Sequence, residues 1–315
     1  MRAMQCRALG GPETLVRTEL PDLVAGPGEV LIDVRAAGVN FPDGLMVAGR
    51  YQTKPELPFV PGCEAAGVVK AVGAGVDLQP GARVAVFCGI GGYAEQVVVP
   101  AARVYPIPDT MDFADAAVLP VVYGTSYHGL VDRARLEPGE SLLVLGAAGG
   151  VGLTAVQIGA ALGAKVTAAA SSPEKLRLCA DHGAHELIDY DRIREGVYDV
   201  VYDPVGGEAA EVAVRALAWG GRYLTVGYAS GTIPKIGLNR LLLKEAALLG
   251  VLWGEWAKRN PEADRANMAQ VVAWCGAGVL KPHIGASYPL ADAATALDLV
   301  LNRGALGKTV LRTGE

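Results

Sequence analysis

An α/β architecture built on a doubly wound parallel sheet, together with a β-rich domain, is predicted from three features of the 315-residue sequence. The first is an uncharged run between Glu140 and Lys165 that reads as buried strand, glycine turn and helix. The second is an alternation of strand-like and helix-like segments after about residue 117, the pattern of a parallel sheet with helices on both faces. The third is a different texture before residue 117, where short β-like pieces are punctuated by Pro27-Gly28, Pro61-Gly62 and Pro80-Gly81.

The early strands are expected at residues 29–35, 64–72, 83–87 and 92–99. Pro138-Gly139 introduces the next strand, in which residues 142–145 are continuously apolar, as in a strand covered on both faces. Gly146, Gly149, Gly150 and Gly152 then allow a sharp turn and close approach of a ligand to the backbone. Val151, Ala155, Ile158 and Leu162 follow at helical spacing. Strands are expected next at 165–170, 197–201, 221–226 and 246–252, and helices at 208–217 and 238–244. A helix at 268–275 leads to Ser287-Tyr-Pro-Leu290, and a further helix and a closing strand at 308–311 complete the chain.

A helix N-terminus behind a side-chain-free loop suits an anion such as pyrophosphate. The motif departs from Gly-x-Gly-x-x-Gly, since counting back from Gly152 gives Ala147-x-Gly149-x-x-Gly152. Its candidate contacts are Ala147, Gly149, Gly150, Val151 and Gly152. The uncharged run is long enough to raise a membrane span, but six glycines with Thr154 and Gln157 argue against one. The following strand selects between cofactors. An acidic residue about 20 positions after the glycines binds the ribose 2′-hydroxyl of NAD. Ala170 and Ser171 stand there, and no carboxylate appears before Glu174. Hydroxyls and Lys175 suit a 2′-phosphate, so NADPH is favoured over NADH. Ser172-Pro173 also reads as a helix cap, and a cap presents donors to an anion as well.

Composition restricts the partners. The net charge of −5 and the absence of a Lys/Arg run argue against nucleic acid or an anionic membrane. Five cysteines are scattered without a Cys-x-x-Cys pair, as for reduced thiols in the cytoplasm. Residues 1–9 lack the apolar core of a signal segment, and the expected location is cytoplasmic.

Gly38-Val-Asn-Phe-Pro-Asp43, Tyr51, Pro58-Phe-Val-Pro-Gly-Cys-Glu-Ala-Ala-Gly67, Pro80-Gly81-x-Arg-Val84, Leu119-Pro120, Thr125, the glycine loop, Lys175, Tyr190, Asp203-x-Val-Gly206 and Gly307-Lys308 recur in a familiar order and spacing. In these the chain resembles the medium-chain dehydrogenase/reductase superfamily, most of all its zinc-free, ζ-crystallin-like quinone oxidoreductase branch. The resemblance implies a GroES-like substrate domain formed by residues 1–117 and 267–315. A Rossmann domain of residues 118–266 is inserted between them in sequence. It implies further that Asn40 lies on the nicotinamide side, that Thr125 sits near the nicotinamide ribose, and that Lys175 and Tyr190 flank the adenosine 2′-phosphate. Backbone groups of Val226, Gly227 and Trp253 are expected near the carboxamide. Lys308 reads either as a cofactor contact or as a solvated lysine.

Where zinc-dependent relatives carry their ligands, this chain offers only Cys63 and Glu64, short of the three that a catalytic zinc needs. No metal is expected, and the four histidines read as surface or cap residues. Hydride transfer to a quinone or enone is the expected chemistry, because the incoming charge is delocalised and can be met by hydrogen bonds. Candidate catalytic residues are Asn40, Tyr51 and Asp43. Tyr51 reads as a proton donor or as a pocket wall, and Asp43 as a catalytic group or a structural partner of its loop. Enoyl-thioester reduction and non-catalytic NADPH binding are the alternatives. A homodimer joined through the last parallel strand is expected.

Overall fold

The computed structural model describes residues 1–314, in two compact units. The first comprises Met1–Val121, Ala257–Gly276 and the segment from Pro282 onward. The second comprises Val122–Trp256 and Ala277–Lys281. Residues 257–266 thus cluster with the chain ends, and 277–281 with the central unit.

In the first unit, β1 (Arg2–Cys6) pairs antiparallel with β2 (Leu15–Glu19). The long β3 (Glu29–Val39) lies antiparallel to β4 (Glu64–Val72), which continues into β5 (Arg83–Phe87) and β7 (Val104–Pro106). The short β6 (Gln96–Pro100) pairs with the first half of β3. β3 runs four residues past the predicted end at residue 35. Ala36, Ala37 and Gly38 give no β-branched signal, yet Ala36 packs with Ala66, Ala85, Ala116 and Ala117 in a core of small side chains. Tertiary packing outweighs local propensity there.

The second unit holds β8 (Ser141–Leu145), β9 (Lys165–Ala169), β10 (Glu186–Ile188), β11 (Tyr198–Asp203), β12 (Leu217–Thr225) and β13 (Ala247–Gly250). All pair in parallel, in the order β10-β9-β8-β11-β12-β13. This is the doubly wound arrangement, whose strand order reverses between β8 and β11. Leu142, Leu143, Val144 and Leu145 are fully buried. β13 forms one edge of the sheet.

The chain then closes the first unit with β14 (Ile284–Pro289) and β15 (Lys308–Arg312), joined by the helix Ala293–Leu301. β15 lies antiparallel to β3, with Thr309 opposite Val39, so β3 has β15 on one side and β4 on the other.

Three helical expectations need correction. The helix predicted at 238–244 is only Asn239–Leu242. The helix predicted at 268–275 spans Pro261–Gly276, its charged first turn having hidden its start. Trp253, expected at a strand end, instead opens the helix Trp253–Arg259. Among the described residues no helix is long and apolar enough to cross a membrane.

Candidate active site

In the second unit the glycine turn follows β8. Gly146 adopts a positive φ of 58°, and a Cβ there would lie 2.8 Å from Val205 in the loop after β11. A Cβ on Gly152 would come within 2.2 Å of the Gly146 carbonyl oxygen, so the first helical turn rests directly on the loop. The helix Gly150–Ala161 begins after an extended Gly149, and its first ladder bond runs from Leu153 N–H to Gly149 O at 2.8 Å. The N–H groups of Gly150, Val151 and Gly152 precede that ladder and give the helix start its anion-attracting character. Ala147 N–H donates to Ala169 O (3.1 Å), which ties the loop to the end of β9.

At that end of β9, Ala170 is buried and Ser171 exposed, with no carboxylate at either position. Ser172 Oγ accepts from Lys175 N–H (3.3 Å) and caps the helix Pro173–Asp181. The Tyr190 hydroxyl accepts from Gly146 N–H (3.0 Å), which holds its side chain against the glycine turn. Ser171 and Tyr190 therefore stand at the same carboxyl end of the sheet, with Lys175 in the first turn of the next helix.

Thr125 lies in the helix Gly124–Tyr127. A hydroxyl cluster that periodicity does not reveal fixes this helix. Ser126 Oγ lies 2.9 Å from Val151 O, 2.7 Å from Thr154 Oγ1 and 2.9 Å from the Tyr202 hydroxyl, and Thr154 Oγ1 donates to Val122 O (3.0 Å). Trp253 is buried against the same helix, since a Cβ on Gly124 would meet its indole at 2.7 Å. Val226 and Gly227 N–H both donate to Asp203 O (2.9 and 3.3 Å), so their carbonyls, rather than their N–H groups, are left to meet a ligand. Asp203 Oδ1 also accepts from Val205 and Gly206 N–H (2.6 and 2.9 Å), which explains its place in the motif as a loop clamp. His128 is not a surface histidine. It is buried, with Nδ1 2.8 Å from Asp132 and its ring stacked on Trp256.

In the first unit the end of β3 carries a buried polar cluster. Asn40 precedes the helix Phe41–Val47, and its N–H donates to Asp43 Oδ2 (2.9 Å). The same oxygen accepts from the Tyr93 hydroxyl (2.8 Å), and Oδ1 accepts from Cys63 N–H (3.1 Å). With three donors inside the protein, Asp43 acts as the structural partner of its loop. Burial pushes its carboxyl up to about 6, against the pull of these hydrogen bonds and of the Lys308 charge. Burial raises Tyr51 above the ordinary tyrosine value, and the neighbouring Cys63 and Asp43 add to the effect. Burial likewise holds the Cys63 thiol well above its usual range, with Asp43 contributing.

Lys308 is neither solvated nor available to a cofactor. It is 6% exposed, and its Nζ donates to Val39 O (2.9 Å), Asn40 Oδ1 (2.6 Å) and Glu64 Oε1 (2.9 Å). Glu64, fully buried, also accepts from Asn40 Nδ2 (2.9 Å) and, through Oε2, from Val121 N–H (2.7 Å). Glu64 and Tyr93 are the functional-site residues that sequence reasoning missed. The one acidic residue of β4, at the head of the strand, was the available signal.

Comparison with known proteins agrees with this geometry. Residues 150–274 match the family described as zinc-binding dehydrogenase, and residues 26–109 match the alcohol dehydrogenase GroES-like domain. The chain is 39% identical to quinone oxidoreductase-like protein 2 homolog of Nematostella vectensis, over 100% of this chain and 89% of that protein. It is 35% identical to human quinone oxidoreductase, over 99% and 97%. Among solved structures, Escherichia coli quinone oxidoreductase complexed with NADPH superposes with a TM-score of 0.91 at 28% identity, over 99% of this chain and 100% of that one. The Thermus thermophilus quinone oxidoreductase gives 0.87 at 37% identity, over 99% and 100%.

The zinc in the first family's description finds no fitting donor set here. Glu64 is paired with Lys308 and its oxygens are taken by Asn40 and Val121, which leaves Cys63 as the one zinc-type side chain at those positions. Among the described residues no three His, Cys, Asp or Glu side chains gather as metal ligands. With a GroES-like unit, a doubly wound parallel sheet and full-length similarity to these enzymes, the chain is an oxidoreductase that belongs to the quinone oxidoreductase branch of the medium-chain dehydrogenase/reductase superfamily.

Proposed function

We propose that this oxidoreductase reduces quinones with NADPH, without zinc, as a cytoplasmic homodimer. The observation that carries the cofactor reading is the carboxyl end of β9, where Ser171 replaces the acidic residue of NAD-selective folds and Tyr190 is held against the glycine turn. An NADP-type dinucleotide fits this chain there. The Gly150, Val151 and Gly152 N–H groups would hold the pyrophosphate, and Ser171, Lys175 and Tyr190 the 2′-phosphate. Thr125 would hold the nicotinamide end, with the carbonyls of Val226 and Gly227, and Asn40 is the residue of the first unit that the family resemblance assigns to the nicotinamide side. Trp253 would act only through the backbone it supports. When bound, the cofactor supplies a hydride from nicotinamide C4.

The substrate reading rests on the buried cluster around Asn40. Glu64 faces an ammonium instead of a metal, so the site has no Lewis acid to stabilise an alkoxide. Acceptors that delocalise incoming charge suit it better than simple ketones, and simple alcohols suit it poorly as hydride donors. Tyr51 favours a second substrate class, the enones. A phenol is protonated at neutral pH and can deliver a proton to an enolate, whereas water suffices for a hydroquinone oxygen.

The test is NADPH consumption with a panel of para- and ortho-quinones, enones and, in reverse, simple alcohols with NADP⁺. Quinone turnover with little alcohol oxidation is expected. Tyr51→Phe should lower kcat on an enone by about 10²–10⁴-fold with little change in KM, and should affect a quinone less. Robust alcohol oxidation with no quinone or enone turnover would overturn the proposal.

A further inference from the structure

The amide of Asn40 is bracketed by opposite charges, and this fixes which of its ends can meet a ligand. Its Oδ1 accepts from the Lys308 ammonium at 2.6 Å, and its Nδ2 donates to the Glu64 carboxylate at 2.9 Å and to Gly38 O at 3.3 Å. An asparagine amide has two N–H donors and two lone pairs on oxygen. Both donors are therefore committed within the protein. Oδ1 also faces the Asp43 N–H in the capping box of the helix Phe41–Val47, but that N–H donates to Asn40 O (3.0 Å), so one lone pair on Oδ1 is left. Rotating the amide by half a turn would set an NH₂ group against an ammonium and a carbonyl oxygen against a carboxylate.

The bracket is built by the sheet. β4 and β15 flank β3, with Glu64 opposite Gly38 on one side and Lys308 one step beyond the Thr309–Val39 pair on the other. Gly38 is required by the same arrangement, since a Cβ there would lie 2.3 Å from Glu64 Oε1. Glu64 Oε2 also takes the Val121 N–H, so its carboxylate cannot swing away from Asn40 without abandoning a backbone donor.

We propose that Glu64 and Lys308 are positioning residues which lock Asn40 as a hydrogen-bond acceptor, presenting Oδ1 to a hydroxyl of the bound cofactor or substrate. This rests on the reading of Asn40 as a nicotinamide-side residue. The ammonium of Lys308 holds the amide oxygen in place, and Glu64 neutralises that ammonium in the buried site.

The test begins with the protein free of cofactor, labelled with ¹⁵N at its asparagine side chains. There are five asparagines, and Asn40→Ser assigns the Asn40 NH₂ pair by its disappearance. Exposed Asn302 serves as the internal reference. Hydrogen exchange of the Asn40 NH₂ should be at least about tenfold slower than that of Asn302, and the difference should collapse in Glu64→Gln and Lys308→Met. Wild-type exchange as fast as that of Asn302 overturns the locked amide, whether or not the variants fold. A direct titration then follows NADPH and NADH binding. Both variants should weaken the two cofactors by the same factor, about tenfold, because NADPH and NADH share the nicotinamide end and differ only in the 2′-phosphate. Unchanged affinities in folded variants overturn the positioning role. If the wild type binds neither cofactor, the cofactor reading fails, while the exchange measurement still decides the state of Asn40.

Discussion

Replacing Asp43 with asparagine should change how the first unit's stability responds to pH, and the structure sets the size of the change. The carboxyl is fully buried and held at about 6 against an ordinary 3.8, so the folded chain binds its proton more tightly than the unfolded chain. The sign follows from linkage. This contribution favours the fold fully below the unfolded value and is lost as pH rises through the folded one. Over the whole window it amounts to about 3 kcal/mol, of which about 2 kcal/mol falls between pH 4.5 and 7.5. Asp43→Asn removes the titration. It also places an NH₂ against one of the donors from Asn40, Cys63 or Tyr93, at a cost of about 1–3 kcal/mol that does not vary with pH. The assay is urea unfolding followed by Trp274, the tryptophan that lies in the first unit, at a series of pH values. Because other groups titrate alike in both proteins, the informative quantity is the difference between wild type and variant. Wild type should lose about 2 kcal/mol relative to Asp43→Asn as pH rises from 4.5 to 7.5. Parallel profiles would refute the claim that burial dominates the Asp43 environment.

Three further outcomes are expected. Lys175→Ala should weaken NADPH by roughly tenfold or more and spare NADH in direct titrations, since a charge-assisted phosphate contact is worth about 1.5–3 kcal/mol. Equal losses for both cofactors would count against the 2′-phosphate site. Gly152→Ala forces a Cβ against the Gly146 carbonyl and should cost about 1–3 kcal/mol, read as a lowered thermal midpoint together with weaker NADPH binding; an unshifted midpoint would disprove the close approach. Sedimentation should show a dimer, because the β13 edge carries half-exposed Leu248 and Leu252 with Trp219 and Leu242 exposed at 74% and 79%, and Leu248→Lys should shift the protein toward monomer.

The parts of the molecule legible in the sequence are those whose causes are local. The glycine turn, the apolar β8 and the missing acid after β9 each depend on residues adjacent in the chain, and the structure has them in the expected elements. The polar clusters are of a different kind. Nothing near Lys308 in sequence distinguishes a solvated lysine from one that neutralises Glu64, 244 residues away. Asp43 and Tyr93 meet across 50 residues, and Ser126 and Tyr202 across 76. Such pairs follow from strand register, which periodicity does not specify beyond a single hairpin. The helix Pro261–Gly276 was half hidden for another reason. Its first turn carries Glu262 and Asp264, and Asp264 is nonetheless buried, where it accepts a hydrogen bond from Tyr105 at 2.6 Å.

The pairing of β15 with β3 has a consequence for the order in which the protein is made. On a ribosome, Val122–Trp256 emerges as one uninterrupted stretch holding all six strands of the doubly wound sheet, ahead of the chain's last segments. The sheet of the first unit must wait. Glu64 leaves the exit tunnel long before Lys308, and at about 5–20 residues per second the gap of 244 residues lasts roughly 10–50 s. During that interval the carboxylate has no cation with which to enter the core, and burying it alone would cost several kcal/mol. Closing the β3–β4 pair around Glu64 before Lys308 arrives carries that cost, and a nascent protein cut short before residue 308 carries an unmatched charge at the centre of its first sheet.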